Sequence, residues 1–199
     1  QSPLIVIGSY ETFDSTWNMS RDPEDMTRES DHNYTEGRLY TFNIEEVVKG
    51  YTDSDLIKIN HPYSEIVSIE ETSGDEIISP AGVVLQKPSE TIVHEIENIY
   101  PTFFEPQIGE TYMVFLHDSM FEKVYMPAVE PFAILFDEKK MASLESGLLS
   151  NGANLTHEIQ GHYDTILVTT DMNPLTDFVA DMTMDDIKNE IERHKTLPK

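Results

Sequence analysis

Residues 157–162, His-Glu-Ile-Gln-Gly-His, come closer to a metal-binding motif than any other stretch of this sequence. Zinc proteases place two histidines four residues apart on one helix, about 40° apart around its axis. His157 and His162 are five residues apart, about 140° around a helix, with the helix-weakening Gly161 between them. This spacing excludes one zinc ion held by a single helical turn. We instead expect a polar loop that precedes a strand around Ile166.

Carboxylates are the other possible metal ligands, because the chain holds 37 acidic residues and Ca²⁺ prefers oxygen ligands. None of the acidic clusters follows the twelve-residue calcium loop with its central Gly. A calcium site is one interpretation of these clusters, and solvated loops or helix capping is the other; no further cofactor is expected. The candidates are Asp53 with Asp55, Asp22 with Asp25, and Asp181 with Asp185 and Asp186.

Other catalytic chemistries lack their usual sequence signatures. The chain has no Cys, which excludes disulfides, Cys-ligated zinc, iron–sulfur clusters and thiol nucleophiles. It also has no Gly-x-Ser-x-Gly turn, no Ser-x-x-Lys and no glycine-rich phosphate loop. The sequence therefore predicts no catalytic residue. A hydrolase in which two of the many carboxylates converge is the alternative that spacing alone leaves open.

The charge restricts the class of partner. With 37 acidic and 13 basic side chains, the formal net charge is −24. Such a field repels nucleic-acid phosphates and anionic lipid headgroups and attracts basic protein surfaces. No run approaches the roughly 18 to 20 apolar residues of a membrane helix. We expect a protein or cell-wall partner, no nucleic acid and no membrane span.

The first residues bear on location. Gln1, Ser2 and Pro3 lead almost directly into an apolar strand, and there is no initiator Met. This start favours a mature chain from which an export signal or a lipid anchor has been removed.

Apolar patterns predict one mostly-β domain over the whole chain. Residues 4–10 and 111–116 are almost continuously apolar, as in strands buried on both faces, and 132–136 and 165–170 are further strand candidates. The polar stretch 14–37 has no apolar period, which predicts a long surface loop.

Residues 39–60 show the clearest pattern, which is that of a β-hairpin with a longish turn. Alternation of apolar and polar residues assigns one face of each strand to the core. The inward positions are Tyr40, Phe42, Ile44, Ile57 and Ile59, with Lys58 and Asn60 outward.

The segment 66–100 is acidic and weakly periodic, which is typical of an insertion that decorates the core and contributes short strands. The aromatic residues that follow it, Tyr100, Phe103 and Phe104, form either an exposed binding patch or an apolar plug at one end of the domain. Residues 138–150 fit either a short helix or a returning hairpin.

The C-terminus predicts an amphipathic helix over residues 183–195. Thr183 can cap it, with Asp186 three residues on. Met184, Ile187 and Ile191 then form one apolar stripe.

Three segments carry a resemblance to a known family: 4–8, 40–50 leading into 56–59, and 106–116. Their succession resembles bacterial exported or lipid-anchored domains similar to the netrin and tissue-inhibitor-of-metalloproteinases (TIMP) OB-fold. The resemblance implies a five-stranded OB-like β-barrel with the 66–100 insertion, and an extracytoplasmic location, secreted or lipid-anchored at the bacterial cell surface. The animal inhibitors chelate zinc through an N-terminal Cys, and this chain has none, so inhibition is not implied.

The sequence therefore favours a non-catalytic binding module of the cell envelope or a secreted one. A calcium-stabilised structural domain and a carboxylate hydrolase are the alternatives.

Overall fold

The computed structural model describes residues 3–72, 77–86, 91–119, 124–151, 153–161 and 165–196. These residues are mostly in strands, with a short C-terminal helix. In chain order the elements are β1 Leu4–Asn18, β2 Thr35–Lys49, β3 Leu56–Thr72, β4 Ile77–Ile78, β5 Val84–Gln86, β6 Thr91–Ile99, β7 Thr111–Asp118, β8 Val124–Pro127, β9 Ala133–Phe136, β10 Ala142–Glu145, α1 Gly147–Asn151, β11 Ala153–Gln160, β12 Thr165–Met172 and α2 Met184–Thr196.

Five strands form a ring-like sheet. Their pairing order is β1–β2–β3–β8–β7, and β7 pairs back with β1. The β3–β8 pairing is parallel and the other pairings of the ring are antiparallel. β7 also pairs with β9, on the edge opposite β1 that it shares with β8. β9 in turn pairs with β10. The mostly-β prediction is confirmed.

The core lies on both faces of β1 and β7, which explains their continuous apolar runs. On β1, Val6 and Tyr10 point into the ring, where they pack with Tyr40 and Phe42 of β2. Alternate β1 residues face a second cluster, which includes β9, β10 and α2. The members of this second cluster include Ile5, Ile7, Met113, Ile134, Leu144 and Ile187.

Helix α2 begins with the predicted capping box. Thr183 Oγ1 accepts a hydrogen bond from the Asp186 backbone N–H (3.2 Å), and the Asp186 carboxylate accepts one from the Thr183 N–H (3.0 Å). Met184 and Ile187 are buried and Ile191 is partly buried against the second cluster. The helix prediction is confirmed, with the helix extending from 184 to 196.

Three expectations from the sequence are wrong. β1 extends to Asn18 and β2 begins at Thr35, so the loop predicted over 14–37 is confined to 19–34. Residues 153–160 form strand β11, paired with β12, instead of a polar loop. Both stretches are strands because a neighbouring strand satisfies their backbone, even where β1 is exposed over residues 11–16. Asn60 is buried rather than outward, because its amide oxygen accepts a hydrogen bond from the Trp17 indole N–H (2.6 Å).

Strands β3 and β6, and strands β11 and β12, form two antiparallel pairs outside the ring. In the first, β3 continues past the ring to residue 72 and pairs with β6 over nine residue pairs, Ser64↔Ile99 to Thr72↔Thr91. The segment expected as an insertion thus contains a regular two-stranded extension, which we call the arm (residues 66–72 and 91–99). The second pair is β11–β12. Residues 138–150 contain both expected structures, a returning strand β10 and the short helix α1.

Neither described helix is both long and apolar enough to cross a membrane.

Candidate functional site

An open cleft of about 410 Å³ lies between the segment that joins β6 to β7 and residues 144–149. One wall comes from that segment and the other from β10 and the start of α1. Its lining residues are Phe103, Phe104, Glu105, Leu144, Glu145, Ser146, Gly147 and Leu149. The cleft therefore combines aromatic and aliphatic side chains with two carboxylates.

Phe104 forms the floor of the cleft. Its aromatic side chain is buried in the core of the ring-like sheet. Its ring centroid lies 5.2 Å from that of His61 and 5.6 Å from that of Phe132. Phe103 is half-buried and contacts Tyr63 edge-on at 4.8 Å. Of the two alternatives that the sequence left open, its burial favours an apolar plug for Phe104, whereas Phe103 is partly exposed and lines the cleft.

Glu105 is held on the rim by two donors from β2. Arg38 Nη1 and the Tyr40 hydroxyl each donate a hydrogen bond of 2.8 Å to its carboxylate. The Arg38 guanidinium lies 3.5 Å over the Tyr63 ring and 5.0 Å from the Phe103 ring, and it also faces Glu36 at 3.5 Å. Because one Arg is shared by two carboxylates, the rim keeps a net negative charge.

Glu145 lies on the opposite wall, close to a second carboxylate. Burial raises its pKa, and the negative charge of Asp177 raises it further. Asp177 is fixed in place by the backbone N–H groups of Leu144 (3.1 Å) and Val179 (3.0 Å). Among the described residues no salt bridge reaches Glu145. A cation in the cleft would relieve this repulsion.

A third carboxyl group, that of Glu130, contacts the back of this wall. The buried Ser146 hydroxyl donates to it at 2.9 Å. Burial of the carboxyl raises the pKa of Glu130 to about 7, and the Ser146 hydrogen bond opposes the rise, although much of the residue is solvent-exposed.

The substitution Glu130→Gln is expected to raise the melting temperature at pH 8 and to leave it nearly unchanged at pH 4.5. The folded pKa of about 7 exceeds the ordinary value of 4.5, so the folded state binds the proton more tightly. The contribution of the Glu130 carboxyl to the free energy of unfolding is therefore complete below pH 4.5 and is lost as the pH rises through 7. Thermal melts across this range measure the effect. The control is Glu138→Gln, an exposed site with the same charge change, and matching pH profiles for the two variants would contradict the prediction.

The calcium candidates lie in separate exposed segments. Asp53 and Asp55 lie exposed in the turn between β2 and β3, whereas Asp181, Asp185 and Asp186 lie exposed around the start of α2. The Asp186 carboxylate is engaged in the Thr183 cap, which lowers its pKa. Within the described ranges no group of three or more His, Asp or Glu side chains is arranged to hold a metal ion. Of the histidine motif, residue 162 lies outside the described residues.

Sequence reasoning found the aromatic part of the cleft but missed its carboxylates. Glu105 and Glu145 are two of 37 acidic residues, and nothing in their spacing distinguishes them. Arg38 was also missed. The available signal was its rarity: it is one of only 13 basic residues in a very acidic chain, and it lies next to the apolar pattern of β2.

No protein-family model, curated protein or solved structure matches this chain. Its function must therefore be inferred from the chemistry of the cleft. An apolar wall beside carboxylates suits a ligand with a cationic head and an apolar stem, as Lys and Arg side chains have.

Proposed function

We propose that this protein is a non-catalytic binding module that takes a Lys or Arg side chain of a basic protein partner into the cleft. The observation that supports the proposal is the cleft itself, in which Phe103, Leu144 and Leu149 lie beside Glu105 and Glu145. The aliphatic stem of the bound side chain packs on the apolar residues. Its charged head pairs with Glu145, the carboxylate without a cationic partner among the described residues.

The overall charge supports the same class of partner. A net charge of −24 accelerates encounter with a basic surface and slows encounter with polyanions. Each exposed ion pair contributes only about 0.2–1 kcal/mol, so several contacts are required and salt weakens the complex.

The ring is proposed to be an OB-like barrel of the netrin and TIMP type. The support is the number of strands, the parallel pairing of β3 with β8, and the closing pair β1–β7, together with the sequence segments 40–50 and 106–116. With this relationship we also propose that the module works outside the cytoplasm, secreted or anchored at a bacterial cell surface.

The cleft is tested with the dye-labelled peptide acetyl-Lys-Gly-Arg-Gly-Lys-amide, whose glycines disfavour a β-strand. We expect Glu145→Gln to weaken its binding about three- to five-fold, since one ion pair is lost. Phe103→Leu, which removes the aromatic ring, is expected to weaken binding to a similar degree. Fluorescence anisotropy at low and physiological salt gives the dissociation constants.

The matched control is again Glu138→Gln, which removes one negative charge away from the cleft. Its dissociation constant should stay within about two-fold of the parent value. If Glu138→Gln and Glu145→Gln weaken binding equally, the peptide is responding to net charge and the cleft is not its site.

A further inference from the structure

The arm presents one open strand edge. β6 pairs with β3 along one side, and no described strand pairs with its other side. Unpaired edges of this kind are templates on which another strand can add.

The direction of the β6 backbone groups follows from two hydrogen bonds of β3. The Ile66 N–H donates to the Tyr34 carbonyl (3.1 Å), on the side away from β6, so the pair Ile66↔Glu97 is not hydrogen-bonded within the arm. The Tyr100 N–H donates to the Tyr63 carbonyl (2.8 Å), which makes that pair a bonded one. The two observations agree, because bonded and non-bonded pairs alternate in antiparallel strands.

The residues whose N–H and C=O groups point to the open edge are therefore the odd-numbered ones: Thr91, Val93, Glu95, Glu97 and Ile99. No hydrogen bond from these backbone groups to another segment occurs among the described residues. An added strand would thus find five donors and five acceptors in a regular row.

The side chains of the arm define what such a strand must carry. One face bears Glu70, Glu95 and Glu97 beside the exposed Val93, which is 56% accessible. The other face bears Ile92 and Ile96 around the hydrogen-bonded pair His94–Glu71 (2.8 Å). The described residues of the arm include no Lys or Arg. Hence a complementary strand is basic on one face and apolar on the other.

A second copy of this chain is a poor occupant of the same edge. Two antiparallel β6 strands paired about Glu95 would place Glu95 opposite its own counterpart. Like charges directly opposite each other destabilise a strand pair. The acidic residues therefore favour a basic foreign strand over self-association.

We propose that the open edge of β6 binds a partner segment that alternates basic and apolar residues and adds as a further strand of the arm. The proposal takes the basic charge of the partner from the proposed function but concerns a different surface. Phe103 lies four positions after Ile99 in the chain, a reach of at most about 14 Å. One partner segment can therefore contact both the edge and the cleft.

The probe for this surface is the peptide acetyl-Thr-Lys-Val-Lys-Val-Lys-Val-Lys-Thr-amide. We expect Val93→Pro to weaken its binding at least ten-fold relative to Val93→Ala. Both variants lose the valine side chain and keep the charge, but only proline removes an N–H that points to the open edge. Circular dichroism verifies that both variants remain folded, and isothermal titration gives the affinities.

A charge exchange provides a second test that does not depend on proline. The double substitution Glu95→Lys and Glu97→Lys should abolish binding of the lysine peptide and create binding of its glutamate counterpart. Equal affinity of Val93→Pro and Val93→Ala, or unchanged charge preference in the double variant, would overturn the proposal. So would dimerisation of the Val93→Ala chain that Val93→Pro abolishes, since the edge would then hold a second copy.

The two surfaces fail independently. If Glu145→Gln weakens binding of the glycine-containing pentapeptide, while Val93→Pro binds the nine-residue valine peptide as tightly as Val93→Ala does, only the cleft is supported. If Val93→Pro binds the nine-residue valine peptide more weakly than Val93→Ala does, while Glu145→Gln binds the pentapeptide as tightly as Glu138→Gln does, only the edge is supported.

Discussion

Acidification from pH 7 to pH 4 is expected to lower the free energy of unfolding by about 3 kcal/mol through His61 alone. The side chain is 2% exposed, and burial lowers its pKa from 6.5 to about 3, partly opposed by a backbone contact with Phe104. Because the folded pKa is depressed, the contribution is complete above pH 6.5 and is lost as pH falls toward 3. Each pH unit below 6.5 lowers the free energy of unfolding by about 1.4 kcal/mol until the folded pKa is reached.

Comparison with His61→Phe isolates this effect from the titration of carboxylates. The His61 ring is surrounded by aromatic rings, so phenylalanine fits the site chemically. The variant leaves the buried Tyr10 hydroxyl without its 2.8 Å partner, which costs about 1–3 kcal/mol at every pH. We therefore expect the variant to be less stable than the parent at pH 7 and at least as stable at pH 4.

Urea unfolding followed by far-ultraviolet circular dichroism, at intervals between pH 4 and pH 8, gives the two curves. The double variant Tyr10→Phe with His61→Phe removes both polar groups and should recover most of the loss at pH 7. If the free energy of unfolding of the parent and of His61→Phe changes with pH in parallel, the pKa of His61 is not lowered in the folded protein, and the prediction is wrong.

The same histidine shows where sequence reasoning about the fold stops. Apolar alternation located β2 and the start of β3, and a continuous apolar run located β7, because burial of one or both faces leaves its period in the sequence. The residues that follow Ile59, namely Asn60 and His61, are polar and yet buried. They are buried because Trp17 and Tyr10 supply hydrogen bonds from β1, more than forty residues away. No local pattern encodes such a partner.

The prediction from sequence also failed where a strand is exposed, for a related reason. Residues 11–16 are exposed, but β1 continues through them because β2 pairs with it as far as Asn18. A polar strand and a polar loop have similar compositions, and only the presence of a pairing neighbour separates them.

The proposed binding surfaces were still less accessible to sequence analysis. The cleft brings Glu105 and Glu145 together from segments forty residues apart, and both are common residue types here. By contrast, the capping box of α2 was predicted in detail, because Thr183 and Asp186 act within one turn. Local chemistry is legible in the sequence, whereas convergence in space is not.

Gly8 is the position where the ring depends most directly on the absence of a side chain, and Gly8→Ala is expected to cost about 3 kcal/mol or more of stability. Gly8 is buried in β1 and pairs with Ile44 of β2 and Tyr112 of β7. A Cβ there would lie 1.9 Å from the Asn43 carbonyl oxygen and 2.8 Å from the Phe42 ring. Urea unfolding at pH 7 measures the loss.

The size of this loss follows from what blocks the new methyl group. The Asn43 oxygen is backbone and cannot rotate away, so relief requires β2 to move off β1 at the point where the ring closes. Gly109→Ala is the control: its Cβ meets nothing within 4 Å, and only its positive φ of 83° is unfavourable. That strain alone costs about 1–2 kcal/mol. Equal losses for the two variants would mean that β1 and β2 can separate freely, and the close approach at Gly8 would then not be needed to close the ring.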